Sequence, residues 1–87
     1  GSEAEAMAVV AETPAPDYGL EVSARLAVLR QAILDLPSRR RDVFILHRLH
    51  QMEPDAIAKR LRISRNMVDR HLRRALLHCL DRLAELD

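Results

Sequence analysis

The chain has few aromatic residues, one cysteine and no long apolar run, and each shortage excludes a class of protein. Aromatic residues make up 2% of the 87 residues, and no stretch alternates between apolar and polar residues, so the sequence carries no strand signal. The single cysteine, Cys79, cannot form an internal disulfide. No apolar run approaches the roughly 20 residues that a membrane-spanning helix needs. We therefore expect an all-α protein of a reducing, cytoplasmic compartment.

The residue patterns that catalysis and metal binding require are also missing. The sequence contains no glycine-rich phosphate loop, no nucleophile signature and no grouped carboxylates. His47 and His50 are three residues apart, and His78 precedes Cys79. A structural zinc site needs four ligands in a closed geometry, and no matched second pair of cysteines is present. We expect neither an enzyme nor a metal site, and no cofactor.

Composition divides the chain into two parts. Residues 1–19 are rich in alanine, glutamate and proline, with Pro14 and Pro16 preventing a helix there. Because Gly1 and Ser2 resemble the remnant of a cleaved tag and no initial methionine or signal peptide is present, we expect a fragment of a longer polypeptide, with residues 1–19 as tag remnant and flexible interdomain linker. Residues 20–87 form one small domain, with a stability on the order of 5 kcal/mol.

Apolar spacing in this domain predicts four helices. Leu29, Ile33 and other apolar residues recur every three or four positions from residue 20 until Leu36-Pro37 ends the first helix. Ser38 is expected to cap a second helix that runs to about His50, whose apolar run at 43–46 points in all directions and must be sandwiched between neighbours. Pro54 is expected to begin a third helix, which ends near Arg62 and whose Ile57, Ala58 and Leu61 face inward. Ser64 is expected to cap a fourth helix of about 20 residues.

Charge is distributed unevenly along the chain. Residues 1–37 contain two basic and six acidic residues, a net charge of −4, whereas residues 38–87 contain twelve basic and seven acidic residues, a net charge of +5. On a helical wheel, the fourth helix has two faces. Its predicted core face contains Val68, Leu72, Ala75, Leu76, Cys79 and Leu83, and its opposite face contains Asn66, Arg70, Arg73 and Arg74.

The spacing of Ala58, Arg62 and Val68 is typical of a helix-turn-helix, in which a small residue lets two helices approach and an apolar residue closes the corner. In that motif the second helix enters the major groove of DNA. Arginine there can bond guanine bidentately, and asparagine can bond adenine. The sequence therefore predicts DNA binding by the fourth helix.

Three segments together resemble region 4 of an extracytoplasmic-function (ECF) sigma factor. They are LPSRRRDVF at 36–44, DAIAKRL at 55–61, and IS at 63–64 with MVDRHL at 67–72 and RAL at 74–76; the ALLHC ending at 75–79 is similar to the FecI-like, iron-uptake branch. The resemblance implies the −35 promoter element as ligand, and the β-flap of RNA polymerase and an anti-sigma protein as partners, with no membrane contact by this domain. It places base-facing or groove-facing positions on Asp69, Arg70, Arg73 and Arg74. The full predicted DNA-binding set is Lys59, Arg62, Ser64, Arg65, Asn66, Asp69, Arg70, Arg73 and Arg74.

The sequence departs from the family pattern in the turn, where Arg62 replaces the usual glycine, and at Glu53-Pro54, where a serine cap and an aromatic residue are common. Region 2, which binds the −10 element, is absent, so we do not expect this fragment to initiate transcription alone. Two other readings stay open: a LuxR-type response-regulator effector domain, and a helical protein-interaction module that does not bind DNA. Leu77 and Leu80 lie off the core face, and we expect them to form a protein-binding surface with Leu29 and Ile33.

Overall fold

The computed structural model describes residues 19–86, apart from the side chain of Leu20. Within this range the chain forms four helices and no strand: α1 (Leu20–Leu34), α2 (Ser38–Arg48), α3 (Pro54–Leu61) and α4 (Arg65–Ala84). The all-α prediction and its four helices are confirmed. No helix of this range is long and apolar enough to cross a membrane. The predicted linker lies outside the described residues except for Gly19.

Local sequence signals fix most helix ends. The Ser64 hydroxyl accepts the backbone N–H of Met67 at 3.0 Å, which is the predicted cap of α4. Pro54 is the first residue of α3, where its missing N–H costs nothing. The predicted Ser38 cap is wrong. Pro37 occupies the cap position instead, since its backbone is extended (φ −54°, ψ 143°) and its carbonyl accepts the N–H of Arg41 at 2.9 Å.

α1 ends two residues before the predicted Leu36. The Asp35 N–H bonds the Gln31 carbonyl at 3.0 Å, and the Leu36 N–H then bonds Ile33 at 3.2 Å, so the chain tightens into a turn. This turn places Leu36 in the core, where it is 5% exposed. An ion pair of 3.1 Å between Asp35 and Arg82 joins the end of α1 to the last turns of α4.

The core consists of two apolar clusters that meet at α2, as predicted from its run of four apolar residues. Phe44 and Ile45 pack with α1 and the C-terminal half of α4. Val43 and Leu46 pack with α3 and the N-terminal half of α4. α2 therefore fixes the helix-turn-helix to the rest of the domain.

Two predicted core residues of α4 are outside the two clusters, the half-buried Leu83 and the exposed Leu76. Val68, Ala75 and Cys79 are buried as predicted, and Leu72 is half-buried against the second cluster, but Leu76 is 40% exposed. It lies about 80° from Val68 on the helical wheel, at the edge of the apolar stripe. The neighbouring helices do not cover that edge.

The turn between α3 and α4 has the left-handed conformation expected at the glycine position. Arg62 has φ 58° and ψ 45°, and its N–H bonds the carbonyl of Ala58. The N–H of Ile63 bonds the same carbonyl at 3.1 Å. These bonds close α3 in the manner of a left-handed helix end and set the direction in which α4 departs.

Arg62→Gly should leave the free energy of unfolding unchanged or raise it by up to about 1 kcal/mol, because glycine adopts the left-handed region without a Cβ penalty. Thermal denaturation measures this effect. Arg62→Ala is the matched control, since it removes the same charge but keeps the Cβ strain. A marked destabilisation by Arg62→Gly, absent from Arg62→Ala, would contradict the strain argument.

Candidate nucleic-acid interface

The predicted polar face of α4 points into solvent. Asn66, Arg70, Arg73 and Arg74 are all exposed, and within residues 19–86 none of their side chains has a hydrogen-bond or ion-pair partner. Arg70, Arg73 and Arg74 thus present three uncompensated positive charges on consecutive turns of one helix. Such a face can bind phosphates and the edges of bases.

Lys59 on α3 and Arg62 in the turn extend this positive face, since both are exposed and lack a partner within the described range. Ser64 has a different role in the fold, because its oxygen accepts the N–H of Met67. Ser64 therefore contributes to the interface by fixing where α4 begins.

Arg65 and Asp69, both predicted to contact DNA, are paired with each other. Arg65 Nε lies 3.0 Å from Asp69 Oδ1, and Arg65 Nη1 lies 2.8 Å from Oδ1 of Asp55 in the first turn of α3. The hydrogen bonds to Asp55 and then to Asp69 raise the pKa of the Arg65 guanidinium. Arg65 therefore braces the first turn of α4 against the first turn of α3, and the three side chains together carry a net negative charge.

The arginines at the start of α2 were not among the predicted site residues. Arg39 Nη1 donates to the carbonyl of Leu61 at 3.4 Å, at the end of α3, and Arg40 Nε donates to Nδ1 of His71 at 3.4 Å. A sequence signal exists: three successive cations in the first turn of a helix oppose the helix dipole. Such a cluster lowers the stability of the helix, so its presence indicates a role other than stability.

His71 of α4 is half-buried, and its ring faces Arg40 of α2. Burial lowers its pKa, and so do the nearby charges of Arg40, Arg39, Arg74 and Arg70, in decreasing order. A neutral ring with a free Nδ1 is the form that accepts the Arg40 N–H. Because the pKa is lowered on folding, the domain loses stability as the pH falls below about 6.5 and through the folded-state pKa.

The predicted protein-binding leucines differ in exposure. Leu77 and Leu80 are 55% and 52% exposed. Ile33 is only 6% exposed, because α1 turns this residue toward α2 and α4, and Leu29 packs partly buried against the same cluster. The prediction that Ile33 belongs to an exposed surface was wrong. On α4, Leu76 is exposed close to Leu77 and Leu80.

A helix-turn-helix whose second helix exposes unpaired arginines defines a DNA-binding domain. The family model described as "Sigma-70, region 4" matches residues 26–79, more than half of the chain. The chain therefore belongs to the sigma-70 region 4 family, whose members recognise the −35 promoter element as part of sigma factors bound to RNA polymerase; it is a family of DNA-binding domains and not of enzymes. Comparisons with curated proteins and with solved structures give no significant match.

Proposed function

We propose that this chain is region 4 of an ECF sigma factor of the FecI-like, iron-uptake branch, and that the exposed face of α4 reads the −35 element of its promoters. The observation that carries the proposal is the face of Arg70, Arg73 and Arg74 on the second helix of a region 4 helix-turn-helix. The ECF assignment rests on segments such as LPSRRRDVF at 36–44, and the branch rests on ALLHC at 75–79.

Within this face, Arg70 and Arg74 contact base edges in the major groove, and Asn66 bonds adenine near the start of the helix. Lys59, Arg62 and Arg73 hold backbone phosphates and position the domain. These assignments are supported by the exposure of the side chains, which lie on α4, on α3 or in the turn between them.

Asp69 and Arg65 have a shared role in this proposal. Asp69 keeps a second carboxylate oxygen, Oδ2, beside the one bound by Arg65, and a carboxylate can accept a hydrogen bond from the amino group of cytosine. Arg65 is anchored in turn by Asp55. Arg65 therefore orients a base-reading carboxylate instead of holding a phosphate.

The direct test is a titration of a labelled duplex, chosen by selection from a random library, at two salt concentrations. Neutralising phosphates makes the affinity fall with salt, with a log-log slope near −0.9 per contact. We expect a steep slope and a preference for the selected duplex over a scrambled one. No binding to either duplex would contradict the proposal.

ECF membership and control by an anti-sigma protein are further parts of the proposal. They are supported by the sequence resemblance and by the exposed apolar patch on α4, since a regulated region 4 must present a surface for protein partners as well as one for DNA. The polypeptide encoded upstream of residue 1 provides a check. We expect a sigma region 2 there, and an unrelated receiver domain would contradict the assignment.

Leu77 and Leu80 are proposed to bind the β-flap of RNA polymerase or the anti-sigma protein. Replacing both with serine should weaken calorimetric binding to the isolated β-flap domain, while the affinity for DNA stays unchanged, because these leucines lie about one to three turns beyond Arg70 and Arg73. Leu49→Ser is the matched control, since Leu49 is 41% exposed at the far end of α2. Unchanged flap binding, or a loss confined to DNA, would refute this division of the surface.

A further inference from the structure

We propose that Arg39 and Arg40 of α2 form a second phosphate-binding site beside His71 of α4, which holds the DNA backbone along one flank of α4. The inference rests on the proposed DNA-binding function. The second site would add α2, which lies outside the helix-turn-helix, to the DNA interface. It would also determine along which side of α4 the DNA backbone runs.

The contacts of Arg39 and Arg40 hold their guanidinium groups in place but use few of the N–H donors. Each makes one hydrogen bond of 3.4 Å, Arg39 to the Leu61 carbonyl and Arg40 to the His71 ring. Both distances are long for a hydrogen bond, and each guanidinium has five N–H donors. Most of the donors therefore remain available while the two side chains are held against α3 and α4.

The electrostatics of this cluster favour an anionic ligand. The charged groups that act on the His71 ring are all arginines: Arg39 and Arg40 from α2, and Arg70 and Arg74 from α4. Arg39 and Arg40 also lie in the first turn of α2, at the positive end of its helix dipole. Repulsion within the cluster is therefore unrelieved in the free protein, and a phosphate relieves it.

The start of the opposite flank of α4 has the opposite charge. Asp69 and His71 are two residues apart, which separates them by about 200° around the helix, so they lie on either side of Arg70. Asp69 belongs to the network with Arg65 and Asp55, whose net charge is negative. At the level of Asp69 a phosphate is therefore repelled from that flank, and the backbone there is attracted to the flank of His71 and Arg40. Arg73, one turn further along α4, lies beyond this acidic network.

Affinity measurements on the whole chain test the site. Arg39→Ala and Arg40→Ala should each weaken binding several-fold, equally for selected and scrambled duplexes, and should make the log-log salt slope shallower by about 0.9. Arg39→Lys and Arg40→Lys should recover most of the affinity, because a phosphate accepts a point charge. Arg48→Ala, an exposed arginine at the other end of α2, is the matched control and should bind like the wild type.

The outcomes separate this inference from the proposed function. If the wild-type chain binds DNA and the alanine variants at 39 and 40 bind equally well with an unchanged salt slope, the second site is overturned and the α4 interface stands. If the wild-type chain does not bind DNA, the proposed function itself fails. A loss confined to the selected duplex would also overturn the site, since it would indicate base contacts.

His71 supplies an independent readout. Phosphates placed beside the ring favour its protonated form, so the pKa of His71, followed by NMR, should rise when the scrambled duplex is added. By linkage, DNA affinity should then increase as the pH falls from the His71 pKa of the complex to the lower His71 pKa of the free domain. A His71 pKa that is the same with and without DNA would contradict a phosphate at this position.

Discussion

Arg70→Ala and Arg74→Ala should each weaken binding to the preferred −35 duplex by about 1 to 3 kcal/mol and relax the preference at one base pair. Both side chains are exposed on the outer face of α4 and have no partner within the described residues. Truncating them removes a contact with DNA and leaves the domain's own packing intact. Competition between the preferred duplex and single-base variants measures both effects.

Lys59→Ala provides the comparison for this prediction. Lys59 is exposed on α3, the first helix of the motif, and a phosphate contact there should weaken binding to all sequences alike. If the alanine variants at 59, 70 and 74 lost the same affinity on preferred and random duplexes, the assignment of Arg70 and Arg74 to bases would be wrong.

Ile57→Ala should lower the free energy of unfolding by about 2 to 5 kcal/mol, which is comparable to the whole stability of a domain of this size. Ile57 is the only buried residue of α3 and is 0% exposed. It packs with Val43, Leu46 and Val68, so it joins α3 to α2 and α4. Without it, the first helix of the motif loses its main attachment. Urea denaturation followed by circular dichroism measures the loss.

Two variants calibrate the Ile57 result. Ile57→Val removes one methylene and should cost only about 0.5 to 1.5 kcal/mol. Leu77→Ala removes more side-chain atoms, but from a residue that is 55% exposed, so it should change stability by no more than about 0.5 kcal/mol. A cost for Ile57→Ala as small as that for Leu77→Ala would mean that α3 is held by other contacts.

The helices and their order were predictable from the sequence because local signals determine them. Pro54 and the Ser64 cap act within one helical turn, and the four successive apolar residues of α2 require neighbours on both sides wherever those neighbours come from. The left-handed conformation of Arg62 was indicated by the family resemblance, which places the usual glycine of the turn at this position.

The exposure of a side chain and the partners of a charged group depend on contacts between distant segments, and these contacts could not be predicted from the sequence. Periodicity places Ile33 in the middle of the apolar stripe of α1, which agrees with its burial. Leu76 lies at the edge of the stripe of α4, and only the packing of the helices decides that it is left uncovered. The bond between Arg40 and His71 joins residues 31 positions apart, and that between Arg65 and Asp55 crosses the turn. No local pattern indicates such partners.

The central claim is that Arg70 and Arg74 read base edges in the major groove. Replacing individual guanines of the preferred duplex with 7-deazaguanine tests it directly, because this change removes the N7 acceptor and leaves base pairing and the minor groove intact. We expect at least one replacement to weaken binding of the wild-type chain by about 1 to 3 kcal/mol and to have no further effect on Arg70→Ala or Arg74→Ala. If every replacement leaves wild-type affinity unchanged, or if its effect adds fully to that of both variants, the two arginines do not read guanine and the account is contradicted.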